Sequence, residues 1–200
     1  MSRRRSAQSH NSTPALEQRM LLAGNVTVRA VSSPEGPDIV ITGDSSANSI
    51  TITQTSTDVY TVKGLSTKIN GVTGGTFQFR FDQFDDLRIA MSGGNDYLEI
   101  RGDSTSAIGD LDITDALVID MGTGNDRVNL RYLEVKGNLT VKMGSGNDKF
   151  NIRDSKVDGI QTLDGGAGTD DINALNIRDV ANPSHSLISF KPLTRLAIWY

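Results

Sequence analysis

The sequence predicts an all-β chain, a right-handed parallel β-helix or solenoid with about 22 residues per rung, N-terminal hairpins and a C-terminal cap. Three observations predict it. Whole segments recur at a fixed offset, apolar and polar residues alternate on both sides of a glycine turn, and the composition is 36% hydrophobic but only 6% aromatic, with 20 glycines. Such a chain is too apolar to be disordered throughout, yet short of the large side chains that fill a round core. A flat stack needs fewer, because each rung buries a few Val, Ile and Leu against its neighbours.

In chain order, residues 1–24 differ from the rest. Arg3, Arg4 and Arg5 precede a polar stretch and then Leu16-Glu17-Gln18-Arg19-Met20-Leu21-Leu22-Ala23. A basic start followed by a short apolar stretch points to export, although Met20 to Gly24 falls short of the roughly 7–15 apolar residues of a secretory core. The basic lead with Leu16, Glu17, Arg19, Leu21, Leu22 and Ala23 resembles a segment near the start of many exported planctomycete proteins. The resemblance implies a disordered, export-type arm outside the fold. The alternative, of equal weight, is a short amphipathic helix or disordered arm with no part in export.

Residues 25–86 read as an irregular hairpin region with the first rungs. Ser49 to Thr53 and Val59 to Val62 flank a turn and predict one hairpin. Thr67 to Val72 and Thr76 to Phe81, separated by Thr73-Gly74-Gly75, predict a second.

Residues 87–182 predict the regular rungs. Leu117 to Arg131 aligns with Leu139 to Arg153 at an offset of 22 without a gap, and a further copy begins near Leu163. An earlier copy, Leu87 to Arg101, stands at the longer offset of 30 from Leu117, and the extra stretch is placed in a loop around Asp103 to Gly109. Within a copy, Leu139, Val141 and Met143 alternate with polar residues, Gly144 to Asp148 turns the chain, and Phe150 and Ile152 alternate again. That is two short strands meeting at a corner. A third apolar pair, such as Leu133 and Val135, completes the rung. Residues 183–200 hold the densest apolar stretch, including Phe190, Leu193, Leu196, Ile198 and Trp199. They read as a cap over the last rung, or else as a strand that pairs with a partner.

The corners carry the candidate chemistry. Residues 165–173 match Gly-Gly-x-Gly-x-Asp-x-U-x, with U apolar; Met121 to Asn129 and Met143 to Asn151 match it except that Met replaces the first Gly. Met91 to Glu99 departs further, with Ser92 at the second Gly. This resembles the calcium-binding repeats of RTX-type exported proteins, in which glycine carbonyls and Asp carboxylates of stacked turns hold Ca²⁺. Carried over by position, the metal ligands would be Gly122, Gly124 and Asp126; Gly144, Gly146 and Asp148; and Gly165, Gly166, Gly168 and Asp170. Family repeats follow each other without a break and turn on both sides, whereas here each rung has a single motif, so one column of sites is expected. Stacked carboxylates about 5 Å apart would repel by on the order of 3 kcal/mol per neighbour. Calcium would offset that repulsion. Asp side chains bonded to their own turns, with Arg127 and Lys149 nearby, would be the alternative. Asn129, Asn151 and Asn173 form a second column, read as structural. Arg131 and Arg153 form a third, expected to pair with Asp154 and Glu134 rather than to grip an acidic glycan.

Composition narrows the function. A net charge of −4 argues against nucleic-acid binding, and zero cysteines remove disulfides, Cys-type zinc sites and a Cys nucleophile. His10 and His185 are the only histidines, and no apolar run reaches a membrane span. Asp112, Asp115 and Asp120 lie near one another but read as solvated positions, so a polysaccharide lyase or hydrolase is the minor expectation. The segments 38–52 and 81–100 resemble Gly-Asn-Asp repeats of large planctomycete surface proteins. The expectation is a non-catalytic, secreted or cell-surface repeat module ordered by calcium, with surface polysaccharide or other surface proteins as partners.

Overall fold

The computed structural model describes residues 24–56, 59–80, 84–102 and 111–175 in full, and the backbone at 176–179, 186–188 and 195–199. The predicted arm, the loop around Asp103 and much of the C-terminal segment lie outside the described residues.

The protein is all-β, and its described residues hold no helix. Its N-terminal region comprises β1 (Asn25–Ser32), β2 (Pro37–Thr42), β3 (Ser49–Ser56), β4 (Val59–Gly64), β5 (Lys68–Ile69) and β6 (Thr76–Arg80). There follow β7 (Leu87–Ala90), β8 (Tyr97–Arg101), β9 (Leu111–Ile113), β10 (Leu117–Asp120), β11 (Arg127–Arg131) and β12 (Leu133–Val135). The chain continues through β13 (Leu139–Lys142), β14 (Lys149–Val157), β15 (Gln161–Asp164), β16 (Asp171–Asp179), β17 (Ser186–Ile188) and β18 (Arg195–Trp199). Among the described residues no helix is long and apolar enough to cross a membrane.

Two mixed sheets result. One has eight strands in the order β17-β15-β13-β10-β7-β2-β1-β5, the other ten in the order β18-β16-β14-β11-β8-β3-β4-β6. From β2 and β3 onward neighbours are parallel, and the offsets seen in the sequence are the pairing registers. Leu117 faces Leu139 and Val128 faces Phe150, both at the regular offset, and Leu87 faces Leu117 at the longer one. The extra stretch between Arg101 and Leu111 therefore leaves the pairing undisturbed. β9, β12 and the second half of β14 form a shorter parallel set, with Leu133 opposite Leu111 and Val135 opposite Val157. The chain bends into that set at Tyr132 (φ 54°) and Asp154 (φ 49°), equivalent positions of successive copies.

Alternation explains the burial. Every second residue of a strand points the same way, so Leu98, Val128, Phe150 and Ile172 lie buried in one row while Tyr97, Arg127, Lys149 and Asp171 face outward. Met91, Met121 and Met143 sit fully buried ahead of their turns. The unbranched thioether fills the irregular space where two strands meet at an angle.

The N-terminal region pairs differently. β3 and β4 form the expected hairpin, Ile52 opposite Val62. The second expected hairpin does not form: Ile69 lies beside Val26 of β1, and Thr76–Arg80 pairs antiparallel with β4. Burial decides this, because Ile69 is buried next to Val26, while Phe79 stacks on Tyr60 with ring centroids 5.6 Å apart. At the far end β17 pairs with β15 and β18 with β16, both parallel, so the described part of the segment read as a cap extends the two sheets.

Candidate functional site

The glycine turns that join the two sheets lie over one another. Gly93, Thr123, Ser145 and Ala167 are bridged in parallel, and each turn bonds the next through its backbone: Ser145 N–H donates to Gly122 O at 2.9 Å and Ala167 N–H to Gly144 O at 2.8 Å. This close approach explains the glycines. A Cβ on Gly146 would lie 1.6 Å from the Gly124 carbonyl oxygen, and Gly146 has φ 142°, a conformation other residues avoid. Ser92, which breaks the pattern, also has positive φ (74°), and its hydroxyl donates to Gly43 O at 3.1 Å.

Three turns end in an Asn-Asp pair and the fourth in Thr169-Asp170, and the side chains form two ladders. The Asn ladder is exposed: Asn125 N–H donates to Asn95 Oδ1, Asn147 N–H to Asn125 Oδ1 and Thr169 N–H to Asn147 Oδ1, at 2.8–2.9 Å. The Asp ladder is buried and runs the other way. Asp96 N–H donates to Asp126 Oδ1 at 2.8 Å, Asp126 N–H to Asp148 Oδ1 at 2.7 Å and Asp148 N–H to Asp170 Oδ1 at 3.0 Å. Asn48 N–H donates to Asp96 Oδ1 at 2.7 Å, so a neutral residue heads the column. The carboxylates thus accept from the neighbouring copy, not from their own turn as an Asx turn would.

Asp96, Asp126, Asp148 and Asp170 are each no more than 2% exposed. Their Oδ1 atoms are bonded, whereas all four Oδ2 atoms are buried without a hydrogen-bond partner among the described residues. Burial drives the Asp96 carboxyl up to about 7; the Asn48 N–H pulls it back and the Asp126 charge adds to the rise. Burial likewise lifts Asp126 to about 6 and raises Asp148. Arg127 and Lys149 do not contact these carboxylates; both face outward, exposed.

For calcium the donor set is therefore divided. The Gly122 and Gly144 carbonyls already accept backbone N–H groups, and each Oδ1 does the same. Among the described residues no three His, Cys, Asp or Glu side chains are grouped to share one ion. Among the side-chain oxygens each copy leaves one buried carboxylate oxygen without a partner, and the Gly124 and Gly146 carbonyls accept no backbone N–H among the described residues, against the six to eight oxygens a calcium ion takes.

The remaining columns are in place on the outer face of the ten-stranded sheet. Asn151 Nδ2 donates to Asn129 Oδ1 at 2.9 Å, and Asn129 Nδ2 to the Tyr97 hydroxyl at 3.1 Å. The arginines pair otherwise than expected. Arg131 meets Glu99, while Glu134 is held by Lys136 and Lys156, which keep its carboxyl at about 2. Asp112, Asp115 and Asp120 are exposed. The Asn95-Asn125-Asn147 ladder and the place of Asn48 escaped the sequence reading. The first was signalled by the Asn-Asp dipeptide recurring at the repeat offset; the second only by the resemblance of segment 38–52 to the repeats. Compared with family models, with curated proteins and with solved structures, the chain matches none.

Proposed function

We propose that the chain is a non-catalytic, exported or cell-surface structural module, a right-handed parallel β-helix of about 22 residues per rung. One observation carries the reading: the recurring polar side chains of the turns bond to their own equivalents in the next copy instead of converging on a cleft. A module built this way is a stiff spacer or display surface, and its repeated outer face is where surface polysaccharide or other surface proteins would engage it.

Calcium belongs to this proposal as the ion that relieves the Asp column. The support is the set of unpartnered Oδ2 atoms on Asp96, Asp126, Asp148 and Asp170, buried charge that a divalent cation would stabilise. Gly124, Gly146, Gly165, Gly166 and Gly168 line the same turns, and their carbonyls would have to supply further ligands. A second reading rests on the raised Asp96 and Asp126 carboxyls, which a proton could neutralise instead.

Thermal melts of the full chain separate the two. With excess chelator, then millimolar calcium, and magnesium as control, the calcium reading expects a calcium-specific rise in midpoint. Asp148→Asn would shrink that rise. A midpoint that ignores calcium but climbs on acidification would leave the proton reading standing and remove the metal.

A further inference from the structure

The outer face of the ten-stranded sheet holds two unlike arrangements of charge among the described residues. Where Glu134, Lys136, Lys156 and Asp158 meet, opposite charges pair off: Lys156 Nζ is 2.7 Å from Glu134 and 3.0 Å from Asp158. Across β8, β11, β14 and β16 the outward positions up to Leu175 instead carry five cations, Arg101, Arg127, Arg131, Lys149 and Arg153, against the carboxylates Glu99 and Asp171. This concentration sits on a chain of net charge −4. Arg131 pairs with Glu99, but Arg127 and Arg153 make no ion pair or side-chain hydrogen bond among the described residues.

Between these cations runs a groove of about 260 Å³, lined by Arg127, Asn129, Arg131, Asn151, Arg153 and Asn173. Its floor is the asparagine column and its walls are guanidinium groups. Two donor or acceptor atoms of that lining, Arg131 Nε and Asn173 Oδ1, are buried with no partner among the described residues. We propose that this groove binds a linear anionic polysaccharide lying along the direction in which the strands stack, with guanidinium groups on its carboxylate or sulfate groups and asparagine amides on its hydroxyls. This names the partner of the surface-module reading and rests on it.

The chemistry selects the class. A guanidinium binds a carboxylate or sulfate through two parallel N–H donors, and a primary amide both donates to and accepts from a hydroxyl. Equivalent side chains recur at the strand spacing of about 4.8 Å, so the face offers a repeating array to a repeating ligand. Single-stranded nucleic acid is disfavoured, because its non-specific grooves stack bases on aromatic rings and none of the six lining residues is aromatic.

Equilibrium binding of the full chain at low ionic strength tests the proposal with four probes: polygalacturonate, dextran sulfate, unmodified dextran and oligothymidylate. At least one anionic polysaccharide should bind, the two arms telling carboxylate from sulfate, and neutral dextran should not. Arg127→Gln with Arg153→Gln should weaken that binding about tenfold, a loss of about 1.4 kcal/mol, while the melting midpoint stays put. Lys142→Gln, on the exposed face of the other sheet, should leave it unchanged. Failure to bind either anionic polysaccharide would overturn the groove. So would equal affinity for oligothymidylate, an unaltered double variant, or an equal loss in Lys142→Gln, which would reduce the attraction to bulk charge. A calcium-raised midpoint without polysaccharide binding would sink the groove and spare the module; binding without a calcium response would do the reverse for the metal.

Discussion

Residues 87–175 and residues 24–80 build the same two sheets by different means. In the first region every strand pairs in parallel with its own equivalent in the adjoining copy, and like side chains stand on like. In the second, β1 and β2, β3 and β4, and β4 and β6 pair antiparallel, while β2 and β3 also join the parallel stack, with Ile41 opposite Ile89 and Ile52 opposite Ile100. Stacking identical turns fixes each backbone group against its equivalent, so the tolerance for change is set by the neighbour and not by the residue. In the N-terminal region crowding is uneven: nothing lies within 4 Å of a Cβ added at Gly71 or Gly74, whereas one at Gly64 would meet the Thr67 carbonyl oxygen at 1.9 Å.

Glycine substitution should expose this difference most strongly. Gly146→Ala places a Cβ 1.6 Å from a backbone oxygen at φ 142°, and should cost about 4 kcal/mol or more, lowering the midpoint by about 10 °C. Gly71→Ala, at φ 79° with no atom within 4 Å of the added Cβ, should cost about 1 kcal/mol. Equal losses in denaturant titrations would erase the contrast between the two regions.

The Asp column belongs to one region only, and pH should reveal it next. Asp96 and Asp126 have folded-state values of about 7 and about 6, above the ordinary 3.8, so between roughly pH 4 and 7 the folded chain binds more protons than the unfolded one. Stability should therefore fall as pH rises through that window and level off above it, by several kcal/mol in total with chelator present. Glu134 works in the opposite sense, but its contribution is lost only below about pH 4.5. Asp126→Asn should flatten the profile; an unchanged slope would mean that the buried column does not govern it.

The smallest expected effect probes the join. The Tyr60 hydroxyl donates to Asp112 O at 3.0 Å, tying the N-terminal aromatic cluster to β9. Tyr60→Phe should cost about 1 kcal/mol and raise hydrogen exchange in β9 more than in β13. Uniform exchange would show that the hydroxyl is not what links the regions.

How much of this was legible follows the same division. The register of β10, β11, β13 and β14 could be read directly, because Leu117 and Leu139, Asn129 and Asn151, and Asp126 and Asp148 repeat at the pairing offset. β1 could not: its buried alternation stops after Val26 and Val28, and Arg29 to Ser32 are exposed although Ala30 and Val31 are apolar. The glycines at 74 and 75 suggest a hairpin that long-range burial of Ile69 and Phe79 overrides. Asn48 heads the Asp column, but with neither the Asp nor the preceding glycines its only mark is the resemblance of segment 38–52 to the later repeats. The side-chain partners of the arginines were also hidden, since Arg131 reaches back to Glu99 across the stretch inserted between their two copies.

The opposed directions of the two ladders bear on how the chain assembles as it is made. An Asn of one copy offers its oxygen forward, so a newly synthesised copy finds that acceptor already waiting. An Asp offers its oxygen backward, so the amide of each copy is answered only once its successor has been translated and has folded onto it. Growth from the N terminus then advances with one copy always half finished. Any pause in synthesis would leave a single aspartate amide exposed at the advancing front, while the earlier copies stay sealed.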